Sequence, residues 1–173
     1  MTLQESLHQI EKLFPNAPPS DLKTIAVIGC CDEHDAGFQW YREHSWKDLR
    51  KEITDNGGDI TKGLDVFEFG SLHPVAFHYF LPGLLTGVGD AVMAQSRAEE
   101  AVLDSSYWHA WLNHVVLPSK QCRNSFIADK LPSFHEEERS AIREFLSALA
   151  ACLEGWDSKQ QAEIDKAIKE VWK

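Results

Sequence analysis

Apolar residues recur along most of this chain at the spacing of amphipathic helices. Near the N-terminus they return every three or four residues, at Leu3, Leu7, Ile10 and Phe14. Thr2 and Glu5 have the spacing of a capping box, and Pro15 ends the run. The pattern predicts a short first helix.

Two further helices are predicted in the middle of the chain. Ser45 and Asp48 have the spacing of an N-terminal cap, and the Asn-Gly-Gly sequence at 56–58 ends the helix that follows. One face of that helix carries Trp46, Leu49 and Ile53. Pro74 suits the first turn of a longer helix, and Pro82 is expected to kink it. The apolar face of this second helix comprises Phe77, Phe80, Leu81, Leu84, Leu85 and Val88.

The last third of the chain predicts three more helices. One runs from about Ala98 into an aromatic stretch at 107–112. Ser133 and Glu136 form another capping-box pattern before the best-defined helix, whose apolar residues are Ile142, Phe145, Leu146, Leu149, Cys152 and Leu153. Ser158 is the expected cap of the final helix, whose stripe is Ile164, Ile168 and Val171.

These elements predict a mainly α fold. Two short apolar segments, 24–29 and 64–69, suit either a strand or a helical turn, so one or two short strands stay open as an alternative. A chain of 173 residues is long enough for one hydrophobic core. We therefore expect a single irregular helical domain over residues 1–173, with about six or seven helices.

The sequence 77–85, Phe-His-Tyr-Phe-Leu-Pro-Gly-Leu-Leu, resembles the central helix of an uncharacterised bacterial family, a domain of unknown function. Segments 31–32, 46–49, 102–105 and 139–146 are similar to its other parts, in the same order. The chain departs from the family pattern at His73, where Ser or Thr is usual, and at Gly83, where a residue such as Ala is usual. The resemblance implies a predominantly helical bacterial protein, and it assigns no catalytic or binding residue.

The composition limits the classes of partner. The net charge is -10 and the isoelectric point is about 5.2, which argues against nucleic acid and suits a basic protein partner. No uninterrupted apolar run approaches the roughly 20 residues that span a bilayer. The N-terminal sequence lacks the pattern of a secretory signal, so we expect a cytoplasmic protein with no membrane partner. The sequence predicts no cofactor.

One loop carries potential metal ligands. Cys30, Cys31 and His34 lie close enough in sequence to bind one zinc ion, with Asp32 or Asp35 nearby. This is half of a four-ligand site, because Cys122 and Cys152 have no Cys or His at ligand spacing. The competing interpretation is a polar loop with two free thiols.

Histidine and glycine spacings favour structural roles. His73 and His78 are five residues apart, as are His109 and His114, whereas metal ligands on one helix face are three or four apart. His78 is expected to point away from the core. The closely spaced glycines Gly83, Gly87 and Gly89 predict close helix packing and a C-terminal cap, and make no phosphate-binding motif.

The aromatic stretch is the candidate binding surface. Tyr107, Trp108 and Trp111 are residue types common at binding hot spots, although Trp108 and Trp111 share a helix face and also suit a core. Asp104, Ser105 and His109 include the residue types of a hydrolase triad without the Gly-x-Ser-x-Gly turn that exposes a serine. Three glutamates at 136–138 are expected to form a solvated first helical turn.

Two hypotheses about function follow. The first is a non-enzymatic interaction protein, of an inhibitor or immunity type, that binds a basic protein. The second is a metal-dependent or small-molecule enzyme that uses the 30–35 loop with a histidine from a neighbouring helix, His73 or His78.

Overall fold

A computed structural model describes residues 1–21, 40–58, 69, 72–98, 127–152 and 158–173. Within these ranges the chain forms seven α-helical segments and no strand, which confirms the mainly α fold class. Of the two segments with an open assignment, 24–29 lies outside the described residues, and only Phe69 of 64–69 lies within them. The predicted helix after Ala98 also falls outside them.

Five helices are long: α1 Leu3–Leu13, α2 Trp46–Asp55, α3 Pro74–Ala98, α4 Glu136–Cys152 and α5 Ser158–Glu170. Short helical turns occupy 40–43 and 127–129, and a 3-10 turn at Leu131–Ser133 leads into α4. Every long helix coincides with a predicted apolar stripe. The apolar stripes predict the helices because residues that recur with a 3.6-residue period lie on one face of a helix.

Helix α3 is the centre of the described fold. Its 25 residues are about 37 Å long, and it packs along α2 and against α1. Helix α4 packs against α1 and α5. The core between these helices is rich in aromatic rings, and its largest fully buried side chains are Trp46, Trp172, Tyr41, Tyr79, Phe77, Phe80, Phe134 and Phe145.

Helix α3 is longer than its predicted apolar face, which ended at Val88. The stretch Pro74–Gln95 has the length and composition of a membrane span, yet 83% of its most apolar window is buried inside the fold. Central helices of soluble proteins show the same property, so this stretch is weak evidence for a membrane. The kink expected at Pro82 stays a prediction.

The predicted close packing at the α3 glycines is confirmed. A Cβ atom at Gly83 would collide with the main-chain carbonyl of Trp46 in α2, and one at Gly87 would lie 2.8 Å from Cβ of Ile53. The C-terminal cap expected among these glycines is wrong, because α3 continues to Ala98. Gly89 instead faces Leu7 of α1, with an added Cβ only 2.7 Å from Cδ2.

The predicted capping box at Thr2 and the predicted N-terminal cap at Ser45 are confirmed, and both form capping boxes. The Thr2 and Ser45 amides each donate to a carboxylate three residues on, Glu5 and Asp48 respectively, at 2.7 Å. Hydrogen bonds from Thr2 lower the pKa of Glu5, and those from Ser45 lower the pKa of Asp48. Helix α2 ends as predicted, since the 57–58 glycines have positive φ angles of 65° and 88°.

The predicted cap at Ser133 is wrong. Ser133 lies in the 3-10 turn, and its hydroxyl donates to the carbonyl of Lys130 at 2.6 Å. Helix α4 begins at Glu136, and the amide of the preceding His135 donates to the carboxylate of Glu138 at 2.8 Å. The same carboxylate contacts α3, so a tertiary contact accompanies this start of the helix.

Candidate functional site

The structure leaves the predicted site residues untested. The metal candidates Cys30, Cys31 and His34 and the binding candidates Tyr107, Trp108 and Trp111 all lie outside the described residues. Among the residues that are described, no three His, Cys, Asp or Glu side chains gather in a way that could hold a metal ion. Polar groups converge at several places in the described part, and three of these arrangements involve the long helix α3 or the cleft beside α2.

The first arrangement pairs a half-buried histidine with a buried carboxylate. Nε2 of His78 in α3 lies 3.0 Å from both carboxylate oxygens of Glu138 in α4. Their side chains are 16% and 7% exposed. The imidazole lies beside the rings of Phe14 and Phe134, with centroid distances of 5.3 and 4.8 Å. Helix α3 is thereby tied to the first turn of α4.

Two sequence expectations are wrong at this pair. His78 was expected to point away from the core, and Glu138 was expected to be solvated. His78 is drawn inward because Phe14, from the end of α1, and Phe134, from the turn before α4, supply an aromatic environment that α3 alone does not contain. Burial of Glu138 is tolerated because its carboxylate also accepts the His135 amide.

The chemistry open to His78 is limited by this pairing. A carboxylate on one imidazole nitrogen is the arrangement that orients a catalytic histidine in hydrolases. Here that carboxylate occupies Nε2, which leaves only Nδ1 for chemistry. The other proposed catalytic histidine, His73, caps α3, and its Nδ1 accepts the amide hydrogen of Val75 at 3.3 Å. His73 therefore supplies the acceptor of an N-terminal cap for α3.

The second arrangement is an arginine that joins three helices. Nε and Nη2 of Arg50 in α2 donate to the two carboxylate oxygens of Asp90 in α3, at 2.7 and 3.2 Å. Nη1 donates to Glu11 in α1. The hydrogen bond with Asp90 raises the pKa of Arg50 further above its ordinary value. Arg50 is therefore a permanent cation held in one orientation.

A cleft opens beside Arg50, between the end of α1 and the first half of α2. Its volume is about 430 Å³, and its lining consists of Glu11, Asn16, Trp46, Lys47 and Arg50. The indole of Trp46 is fixed because its Nε1 donates to the carbonyl of Pro15 at 3.0 Å. The ammonium of Lys47 lies 5.6 Å from the centre of the same ring.

The third arrangement is a half-buried lysine. Nζ of Lys130 donates to the carbonyl of Leu72 at 2.9 Å and lies 4.5 Å from the centre of the Phe77 ring. Burial lowers the pKa of this amine to about 8. The contact joins the turn before α4 to the start of α3.

The sequence pattern did not predict Arg50, Asp90 or Lys130 as site residues. The sequence does contain one sign that Asp90 has a role, because Asp90 is the only Asp, Glu, Lys or Arg from 74 to 96. A lone charge in so apolar a helix indicates a fixed partner. Comparison of the chain with family models, with curated proteins and with solved structures finds no match. The family resemblance and the bacterial origin that it implies stay predictions.

Proposed function

We propose that the protein is a non-enzymatic interaction module, of an inhibitor or immunity type, that binds a basic protein partner. The net charge of -10 supports this proposal, because an acidic surface raises the rate at which a basic partner associates and penalises acidic competitors.

The distribution of charge is the observation that carries the proposal. The chain contains 27 Asp and Glu residues against 17 Lys and Arg residues. Ion pairs with arginine or lysine already involve Glu11, Asp55, Asp90 and Glu136. The stretch 32–35 contains Asp32, Glu33 and Asp35 and no Lys or Arg, so it is the part of the sequence where we place the contact with a basic partner.

The test is an affinity capture from a lysate of the source organism at low salt, with two charge variants of the bait. One variant neutralises Asp32 and Glu33, in the acidic stretch 32–35. The matched control neutralises Glu137 in α4 and Asp165 in α5, both of which are exposed. Each variant changes one aspartate to asparagine and one glutamate to glutamine, so the total charge is the same.

We expect wild type and control to retain one basic protein in stoichiometric amount, and the 32/33 variant to retain less of it. Salt should release the partner, because exposed charges are screened over about 10 Å at 0.1 M ionic strength. The proposal would be wrong if no basic protein is retained, or if both variants lose it equally. Stoichiometric metal in the purified protein would instead support the enzyme hypothesis.

A further inference from the structure

We infer that Lys130 is a covalent attachment site, at which the side-chain amine takes up a small aldehyde as an imine. This site is independent of the proposed contact with a basic partner, which lies in the stretch 32–35. Lys130 differs from the other lysines in the described part of the chain, because they are all exposed whereas Lys130 is half-buried. It is therefore the lysine whose amine the fold holds in place and still leaves within reach of a small molecule.

Two contacts fix this amine at the edge of the core. Nζ donates to the main-chain carbonyl of Leu72 at 2.9 Å and lies 4.5 Å from the centre of the Phe77 ring. Leu72 and Phe77 are themselves buried, so neither group can move away without a change at the start of α3. A reagent that reaches the nitrogen therefore meets an amine that is already positioned.

The protonation state of Lys130 decides its reactivity, because an amine attacks a carbonyl carbon only in its neutral form. Burial lowers the pKa of Lys130 to about 8, although the charge of Asp129 acts in the opposite direction. At pH 7 about one-tenth of such an amine is neutral, compared with about 1 in 3,000 for a lysine with the ordinary value of 10.5. The fold therefore gives Lys130 much more of the reactive form than an ordinary lysine has.

The reaction is a condensation that needs no oxidant or reductant. The lone pair of Nζ forms a bond to the aldehyde carbon, and the electron pair of the C=O bond moves to the aldehyde oxygen. The two protons of the neutral amine then leave with that oxygen as water, and a C=N bond remains.

The two contacts suit an imine better than a carbamate, which is the adduct of a lysine amine with carbon dioxide. A protonated imine keeps one N–H for the Leu72 carbonyl, and its positive charge stays beside the face of the Phe77 ring. A carbamate would place a negative charge beside the carbonyl oxygen and the ring face, and both would repel it. The ligand class is therefore an uncharged carbonyl compound, and the half-buried position restricts it to small aldehydes.

The test is the rate at which acetaldehyde modifies each lysine of the intact folded chain at pH 7. Sodium cyanoborohydride reduces the imine to a stable ethylamine, and mass spectrometry of peptides then measures each site. We expect Lys130 to be modified about tenfold faster than the exposed Lys47 and Lys51. This factor is smaller than the excess of neutral amine, because a weaker base is a weaker nucleophile and a half-buried nitrogen is harder to reach.

Two controls separate this reactivity from that of an ordinary lysine. Between pH 7 and pH 9 the neutral fraction of an ordinary lysine rises about 100-fold, whereas that of an amine with a pKa of about 8 rises about tenfold. The rate at Lys130 relative to the exposed lysines should therefore fall about tenfold over this range. In concentrated urea, which unfolds the chain, Lys130 should react no faster than Lys47.

A further control distinguishes the aldehyde from carbon dioxide. With isotope-labelled bicarbonate, the NMR spectrum of the folded protein should contain no carbamate signal that Lys130→Arg removes. Equal rates at Lys130 and the exposed lysines of the folded protein, the same rate advantage in urea, or a carbamate at Lys130 would overturn the inference.

Discussion

Replacing Gly83 by alanine tests whether the main chains of α2 and α3 are in direct contact. The added Cβ would collide with the carbonyl oxygen of Trp46 and lie 3.0 Å from its carbonyl carbon and 3.2 Å from Cβ of Leu49. These are main-chain atoms and the base of a side chain. No change of rotamer can move them, so α2 itself must shift.

The size of the effect is the difference between two opposing contributions. Forcing a methyl group into a close-packed contact costs about 1 to 3 kcal/mol, and the upper end applies here because the obstacle is main chain. Alanine recovers about 1 kcal/mol through its higher helix propensity. We expect a net loss of about 2 kcal/mol in the free energy of unfolding, or a fall of about 4 to 8 °C in Tm for a chain of this length.

Gly89→Ala is the matched control on the same helix. Its nearest obstacles are the outer atoms of Leu7 and Phe145, Cδ2 at 2.7 Å and Cε2 at 3.1 Å, which small side-chain rotations can move. We expect its stability to stay within about 1 kcal/mol of wild type. Urea unfolding followed by circular dichroism at 222 nm measures both variants. Equal stabilities of the two variants, or a Gly83→Ala protein more stable than wild type, would refute the close approach of α2.

Two further predictions concern Glu138 and Lys130. Glu138→Ala should lower the unfolding free energy by about 3 kcal/mol because it leaves His78 without its buried partner, while Glu137→Ala, at an exposed neighbour, should change it by less than about 0.5 kcal/mol. If urea unfolding showed that the two variants lose equal free energy of unfolding, the pairing of Glu138 with His78 would be contradicted. The pKa of Lys130 is about 8 in the folded protein and 10.5 ordinarily. The folded protein therefore loses this proton at a lower pH than the unfolded chain does. The free energy of unfolding of the wild type, relative to that of Lys130→Met, should therefore rise by about 3 kcal/mol between pH 8 and pH 10.5. A difference between the two proteins that stays constant over this pH range would contradict the lowered pKa.

Local features of the fold were predictable from the sequence. The capping boxes at Thr2 and Ser45 and the glycine stop after α2 each depend on residues within one helical turn, and the structure contains all three. The apolar stripes predicted the long helices for the same reason. The start of α4 was not predictable in this way, because the Glu138 carboxylate at its first turn also contacts His78, 60 residues away.

The polar arrangements depend on distant residues, and for that reason sequence spacing did not reveal them. Arg50 binds residues 39 and 40 positions away in the chain, in two different helices. Gly83 is a related case, because the main chain of α2, more than 30 residues away in the sequence, occupies the space of an alanine methyl.

The position of α1 has a consequence for the order in which the protein folds during synthesis. Helix α1 is the first of the five long helices to be synthesised, but its apolar face packs against α4, which is the fourth. Leu7 and Phe145 both border Gly89, and a ribosome needs roughly 10 s to add the residues between them at about 5 to 20 residues per second. Throughout that interval α1 cannot make its contacts with α4. The apolar face of α1 is therefore incompletely buried until α4 has been synthesised.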